Sequence, residues 1–156
     1  MGLLDFLSGK NTQTKFKGVQ DPKWVRSPKG GFYRLSYIDT SMPSMKVAGV
    51  VVIWHGGVKP GWLAVKVAKS VADTVSQLAN DKEVDTYEER GGVFVTWSPI
   101  QGKFQNGVLK YLIKTMKPEL TPKEPGGNDA PVPVYHPGQA AEERPPSKTA
   151  GLNPLG

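Results

Sequence analysis

The sequence predicts an α+β fold: a small antiparallel sheet built in hairpin–helix–strand–helix order. A flexible N-terminal arm and a disordered Pro-rich C-terminal tail are expected to flank it. Three observations predict this class. The apolar runs "AGVVVIW" and "WLAVKVA" are joined by the turn-rich "HGGVKPG". In "SVADTVSQLAND", Val71, Val75 and Leu78 recur at i, i+4 and i+7, a single helical stripe. In "GKFQNGVLKYLIKTMKP", Phe104, Val108, Leu109, Leu112, Ile113 and Met116 share one helical face. At 156 residues the chain has room for one proper hydrophobic core and little more.

Taken in order, residues 1–30 read as the arm, of which residues 10–30 are polar and rich in Lys, Gly and Pro, with Trp24 and Val25 as isolated apolar points. The domain is expected over residues 31–118. "GFYRLSYID" (31–39) suggests a strand, broken by Pro43, which cannot continue a central ladder. Val50 to Trp54 is continuously apolar, as in a strand buried on both faces. Glycines and Pro60 supply the turn. The second hairpin strand, Trp62 to Val67, turns Lys66 to the face opposite Val65 and Val67. Ser70 with Asp73 three residues on marks a helix start. Residues 81–90 read as an acidic loop, and "GGVFVTWSPI" as a third strand closed by Pro99. Thr96 and Ser98 lack a nucleophile-elbow pattern and read as strand-end hydrogen-bonding groups.

Composition and charge divide the chain further. Residues 119–156 hold 8 of its 14 prolines and almost no apolar period, which predicts a tail unable to offset its ordering entropy. Residues 1–118 carry 17 Lys and Arg against 9 Asp and Glu, whereas the tail carries 3 against 5. Five of those nine acids are Asp81, Glu83, Asp85, Glu88 and Glu89. The remaining body is strongly basic, which suits an acidic partner or simply keeps the protein soluble.

The absence of cysteine excludes disulfides, thiol catalysis and Cys-based zinc sites, and fits a reducing cytoplasm. Two histidines, His55 and His136, are too few for a His-rich metal site. The acids of residues 81–88 lack the loop glycine and terminal glutamate of an EF-hand, so no metal site is assigned. No apolar stretch approaches the ~18–20 residues that span a bilayer. The patch Leu3, Leu4, Phe6 and Leu7 is interrupted by Asp5 and reads as a frayed turn or a short docking segment, not a signal peptide.

The candidate binding surface combines two features. Lys103, Lys110, Lys114 and Lys117 are spaced by seven, four and three, which stacks them on one face of the last helix. Trp62, beside the loop that carries Lys59, is the tryptophan best placed to lie exposed. Such a face can meet an acidic protein, track phosphates, or stand solvated with lysines suiting the helix C-terminus. The stripe has no arginine, the residue that reads phosphate and base edges bidentately. His55, after the first hairpin strand and next to Gly56 and Gly57, could act as a general base, but no Ser, Cys or acid is placed to complete a dyad.

Over roughly residues 48–118 the element order resembles the GIY-YIG domain. Gly49 opens the first strand, "VFVTW" forms the third, and "NGVLKYLI" leads to a closing Pro118. The resemblance implies phosphodiester chemistry with a tyrosine on each hairpin strand, an arginine in the first helix and a metal-binding glutamate in the second. The matching positions here are Val51 for the first tyrosine and Val65, Lys66 and Val67 for the second motif. Thr74 takes the arginine slot and Leu109 the glutamate slot, and residues 101–118 contain no acid. The resemblance therefore implies the frame without its reaction. The expected function is a non-enzymatic module that binds a protein partner, with no catalytic residues and no cofactor. Nucleic-acid binding through the last helix is the alternative, and an enzyme using His55 is the third reading.

Overall fold

The computed structural model describes residues 18–120 and 126–139. It is an α+β fold with one four-stranded antiparallel sheet and three helices. The strands are β1 (Tyr33–Arg34), β2 (Gly49–His55), β3 (Gly61–Ala68) and β4 (Val93–Pro99), ordered β1-β4-β2-β3 across the sheet. The helices are α1 (Val71–Ala79), the single turn α2 (Lys82–Asp85) and α3 (Gly102–Met116).

The continuous apolar run of β2 has its cause in this topology: it is the inner strand between β3 and β4, covered on both faces. Val51 and Ile53 face α1 and pack with Val71, Val75, Leu78, Val95 and Trp97. Val50 and Val52 face the other way and pack with Val65, Val108, Leu112 and Met116. The hairpin register places Val51 opposite Lys66 and Val52 opposite Val65, with an irregularity between Ile53 and Trp54.

Ser70 caps α1, its Oγ accepting the Asp73 N–H at 3.3 Å. Ser70→Ala is expected to cost about 1 kcal/mol, read by urea denaturation. Asp81 caps α2 in the same way, accepting from the Glu83 and Val84 N–H groups. That cap turns part of the expected acidic loop into a helical turn, with Val84 buried against α1's side of the core. The strand expected over 31–39 shortens to two residues. After Arg34 the chain winds into a 3-10 turn, Leu35–Tyr37, that drives Leu35 into the core.

The larger corrections concern the arm and the tail. Of residues 18–30, expected to be flexible, Pro22 to Val25 lie along the free stretch of β4. The Val25 N–H donates to the Trp97 carbonyl at 3.0 Å, and the Thr96 hydroxyl donates to the Val25 carbonyl at 2.7 Å. Ser98 Oγ donates to the Pro22 carbonyl, so both buried hydroxyls of β4 hold the arm in place. Trp24 is thereby buried among the α3-side residues.

Residues 126–139, expected to belong to a disordered tail beginning at 119, form a strap along α3. Val132 and Val134 are buried against Trp24, Val108 and Leu112. The backbone pairs in parallel with the arm, Gln20 N–H to Pro133 O at 3.0 Å and Tyr135 N–H to Gln20 O at 2.9 Å. The Trp24 indole N–H donates to the Tyr135 carbonyl at 2.7 Å. The physical reason is that "PVPV" need not form its own core; it alternates two valines onto a face that α3 and the arm already provide. Segments 1–17, 121–125 and 140–156 lie outside the described residues, and with them Leu3, Leu4, Phe6 and Leu7.

Gly107, within α3, is where the strap seats. A Cβ there would strike the Ala130 carbonyl oxygen and lie 2.7 Å from Val132 Cγ2. The Val132 N–H also donates to the Gly107 carbonyl at 2.9 Å. In an unobstructed helix, Gly→Ala stabilises by about 0.5–1 kcal/mol. Here Gly107→Ala is expected to reverse that sign and lower the melting temperature. A raised melting temperature would show that nothing is seated on this helix face.

Candidate interaction surface

The lysine face of α3 begins with its composition. Gly102 to Met116 contains no carboxylate, and its apolar stripe turns Phe104, Val108, Leu112, Ile113 and Met116 inward. Lys103 and Lys114 are left exposed, and Lys117 stands exposed just past the helix end. Lys117 closes α3 in the left-handed region (φ 52°), its N–H bonded to the Ile113 carbonyl before Pro118 ends the helix. Among the described residues no carboxylate forms an ion pair with Lys103, Lys114 or Lys117. Val84 and Tyr87 of the acidic segment pack with the α1-side cluster, whereas α3 covers the opposite face of the sheet.

Lys110 departs from the expected stripe. It is half-buried, and its Nζ donates to the Gly127 and Asp129 carbonyls at 2.8 and 2.9 Å. Asn106 Nδ2 binds the Asp129 carboxylate at 2.9 Å alongside. Lys110 therefore tethers the strap, and the open basic face consists of Lys103, Lys114 and Lys117.

Trp62, the tryptophan that the sequence places best for exposure, packs against neighbouring rings. It is half-buried within a row of rings that crosses the sheet on the α3 side. Phe94, Trp54 and Trp62 occupy adjacent strands, with centroids 6.0 and 5.6 Å apart. Phe32 meets Trp54 edge-on at 5.0 Å, and His136 of the strap meets Trp62 at 5.9 Å. Arg26 lies 4.5 Å over the Phe32 ring, a cation–π contact on the rim of this row. Lys59 is exposed in the β2–β3 turn next to the fully exposed Val58. The contributions of Arg26 and Asp129 had no local signal, because one comes from the expected arm and the other from the expected tail, and nothing in the expected strand 31–39 marked Phe32 as a partner of Trp54.

His55 lies buried at the end of β2. Its Nδ1 faces the Gly56 carbonyl at 2.9 Å, a contact that requires the proton on Nδ1. Its Nε2 lies 3.9 Å from the Glu119 carboxylate. Tyr87 stacks on the imidazole at 5.2 Å and donates its hydroxyl to Glu119 at 2.9 Å, while Arg90 covers the Tyr87 ring at 4.6 Å. The hydrogen bond to Glu119 holds the Tyr87 phenol above its ordinary value, since the phenol keeps the proton that it donates to the carboxylate. The Glu119 and Leu120 N–H groups bond the Trp62 and Leu63 carbonyls at 3.0 and 2.7 Å. The cluster therefore fastens the chain leaving α3 to the edge of β3. The imidazole side chain is only 7% exposed, which leaves little room for a substrate.

The positions that the sequence resemblance singled out fall on two sides of the sheet. Val51 is buried toward α1, the helix that carries Thr74. Val65 is buried toward α3, where Leu109 packs. Lys66, on the Val51 face by register, is exposed. Valine and leucine side chains offer no donor to a divalent ion, and α3 has no carboxylate to replace them. Among the described residues, no group of three or more His, Asp or Glu could hold a metal ion, and no helix is long and apolar enough to cross a membrane. Compared with family models, curated proteins and solved structures, the chain gives no match.

Proposed function

We propose that the chain is a non-enzymatic interaction module on a GIY-YIG-like core, and that it docks an acidic protein partner on the lysine face of α3. The element order from β2 onward supports the frame. Apolar side chains at positions 51, 65 and 109 support the loss of its chemistry. The observation that carries the reading is the acid-free helix whose Lys103, Lys114 and Lys117 stand exposed without an ion-pair partner among the described residues. Complementary charge of this kind steers encounter and selects among partners. Lys103→Glu/Lys114→Glu/Lys117→Glu is expected to change stability by less than ~0.5 kcal/mol per site, as exposed substitutions do. The same variant is expected to lose a protein partner that the native chain retains in affinity capture.

Nucleic-acid binding is the second reading, favoured by Arg26 and the aromatic row beside it. Aromatic rings with a basic rim are the ordinary platform for single strands. Titration with single- and double-stranded DNA over a salt series tests it. Absence of binding at low salt removes this reading.

A further inference from the structure

The groove between α3 and residues 20–24 of the arm carries an inference that goes beyond the lysine face and does not depend on it. This groove is a built seat. Gly107 keeps one helix turn bare so that a backbone can lie against it, although glycine weakens the helix interior. Gln20 offers a backbone N–H and carbonyl to a parallel chain, and Trp24 adds an indole donor. Val108, Leu112 and Trp24 line the floor. Lys110 and Asn106 guard one end, binding the Gly127 and Asp129 carbonyls and the Asp129 carboxylate. These are the components of strand-type peptide recognition: main-chain bonds for affinity, and pockets for alternate side chains for specificity.

The strap shows what the seat accepts. Asp129 sits at the polar end, and Val132 and Val134, three and five positions later, fill the apolar floor. Pro131 and Pro133 lack N–H groups, and the strap's backbone pairs instead through the Val132 and Tyr135 N–H groups and the Pro133 carbonyl. Its polar tethers at Asn106 and Lys110 lie at the surface, where water can replace them. We propose that the groove is a peptide-recognition site for an extended chain bearing an acid and, three and five residues on, two β-branched apolar residues. The strap occupies that site in cis and must yield to the incoming peptide.

The test uses the full chain carrying Val134→Asp, which is expected to unseat the strap and leave the rest of the domain folded, and a labelled synthetic peptide of residues 126–139. By fluorescence anisotropy, Val134→Asp is expected to bind the peptide at least ~10-fold more tightly than the native chain, whose binding-competent fraction is reduced by its own strap. A peptide carrying the same Val134→Asp change is expected not to bind. Reversal of Lys103, Lys114 and Lys117 is expected to leave peptide binding within about twofold, because the strap's bonds to α3 side chains run to Asn106, Lys110 and Thr115. Three results would overturn the proposal. Val134→Asp unfolds the whole domain, which makes the strap an inseparable part of the core. The two chains bind the peptide equally. Or the native chain forms concentration-dependent dimers without taking up peptide, which assigns the groove to a second copy's strap.

Discussion

Trp97→Ala is expected to remove about 3–5 kcal/mol of folding free energy, the largest loss from any single truncation of this core. Trp97 is wholly buried on β4, toward α1, and stacks on Tyr33 at 5.8 Å. Its indole N–H donates to the Ser44 carbonyl at 3.1 Å, which anchors the turn between β1 and β2. Deleting the ring opens a cavity at the centre of the α1-side cluster and frees that turn together. Because the sheet closes around it, the site has little capacity to collapse. Urea denaturation checks the magnitude, with Lys114→Ala as an exposed control expected to stay within ~0.5 kcal/mol. A loss below ~1.5 kcal/mol for Trp97→Ala would show that the ring is peripheral.

Gly49→Ala is expected to be comparably severe, although it adds only one methyl group. A Cβ at Gly49 would collide with the Ser98 carbonyl oxygen and lie 3.0 Å from Ser98 C and 3.2 Å from Pro99 Cα. All three are backbone atoms of β4, paired directly with the start of β2. No side chain can rotate away to make room. The strand must shift, and with it the ladder that places Val50 and Val51 on their separate faces. A loss above ~3 kcal/mol or a failure to fold is expected. A melting temperature close to native would show that β2 and β4 are not in this register. The glycine that opens the hairpin thus has a packing reason independent of any chemistry.

The parts of this fold that were legible in the sequence are those whose burial repeats along the chain. Val71, Val75 and Leu78 give α1 its stripe, and Phe104 through Met116 do the same for α3. The run Val50–Trp54 shows a central strand because both of its faces are covered. Trp24, Val132 and Val134 follow no such rule. They sit among prolines and polar residues, and they are buried because distant elements already offer a face. Two local signals pointed to the strap and were ambiguous by themselves: a glycine at 107 inside a strong helix, and the alternation of "PVPV". Of the expected binding residues, Lys59, Lys103, Lys114 and Lys117 are exposed. Lys110 and Trp62 are engaged because the strap lies over them, which the spacing of lysines cannot show.

Differential capture after nuclease digestion tests docking on the lysine face most directly. The native chain is expected to retain a protein partner that survives digestion and is released as salt rises toward ~0.5 M, where surface charge is screened within a few ångströms. Lys103→Glu/Lys114→Glu/Lys117→Glu is expected to retain none of it at low salt. Equal retention by the two chains, or retention lost on nuclease digestion, would contradict docking of an acidic protein on this face.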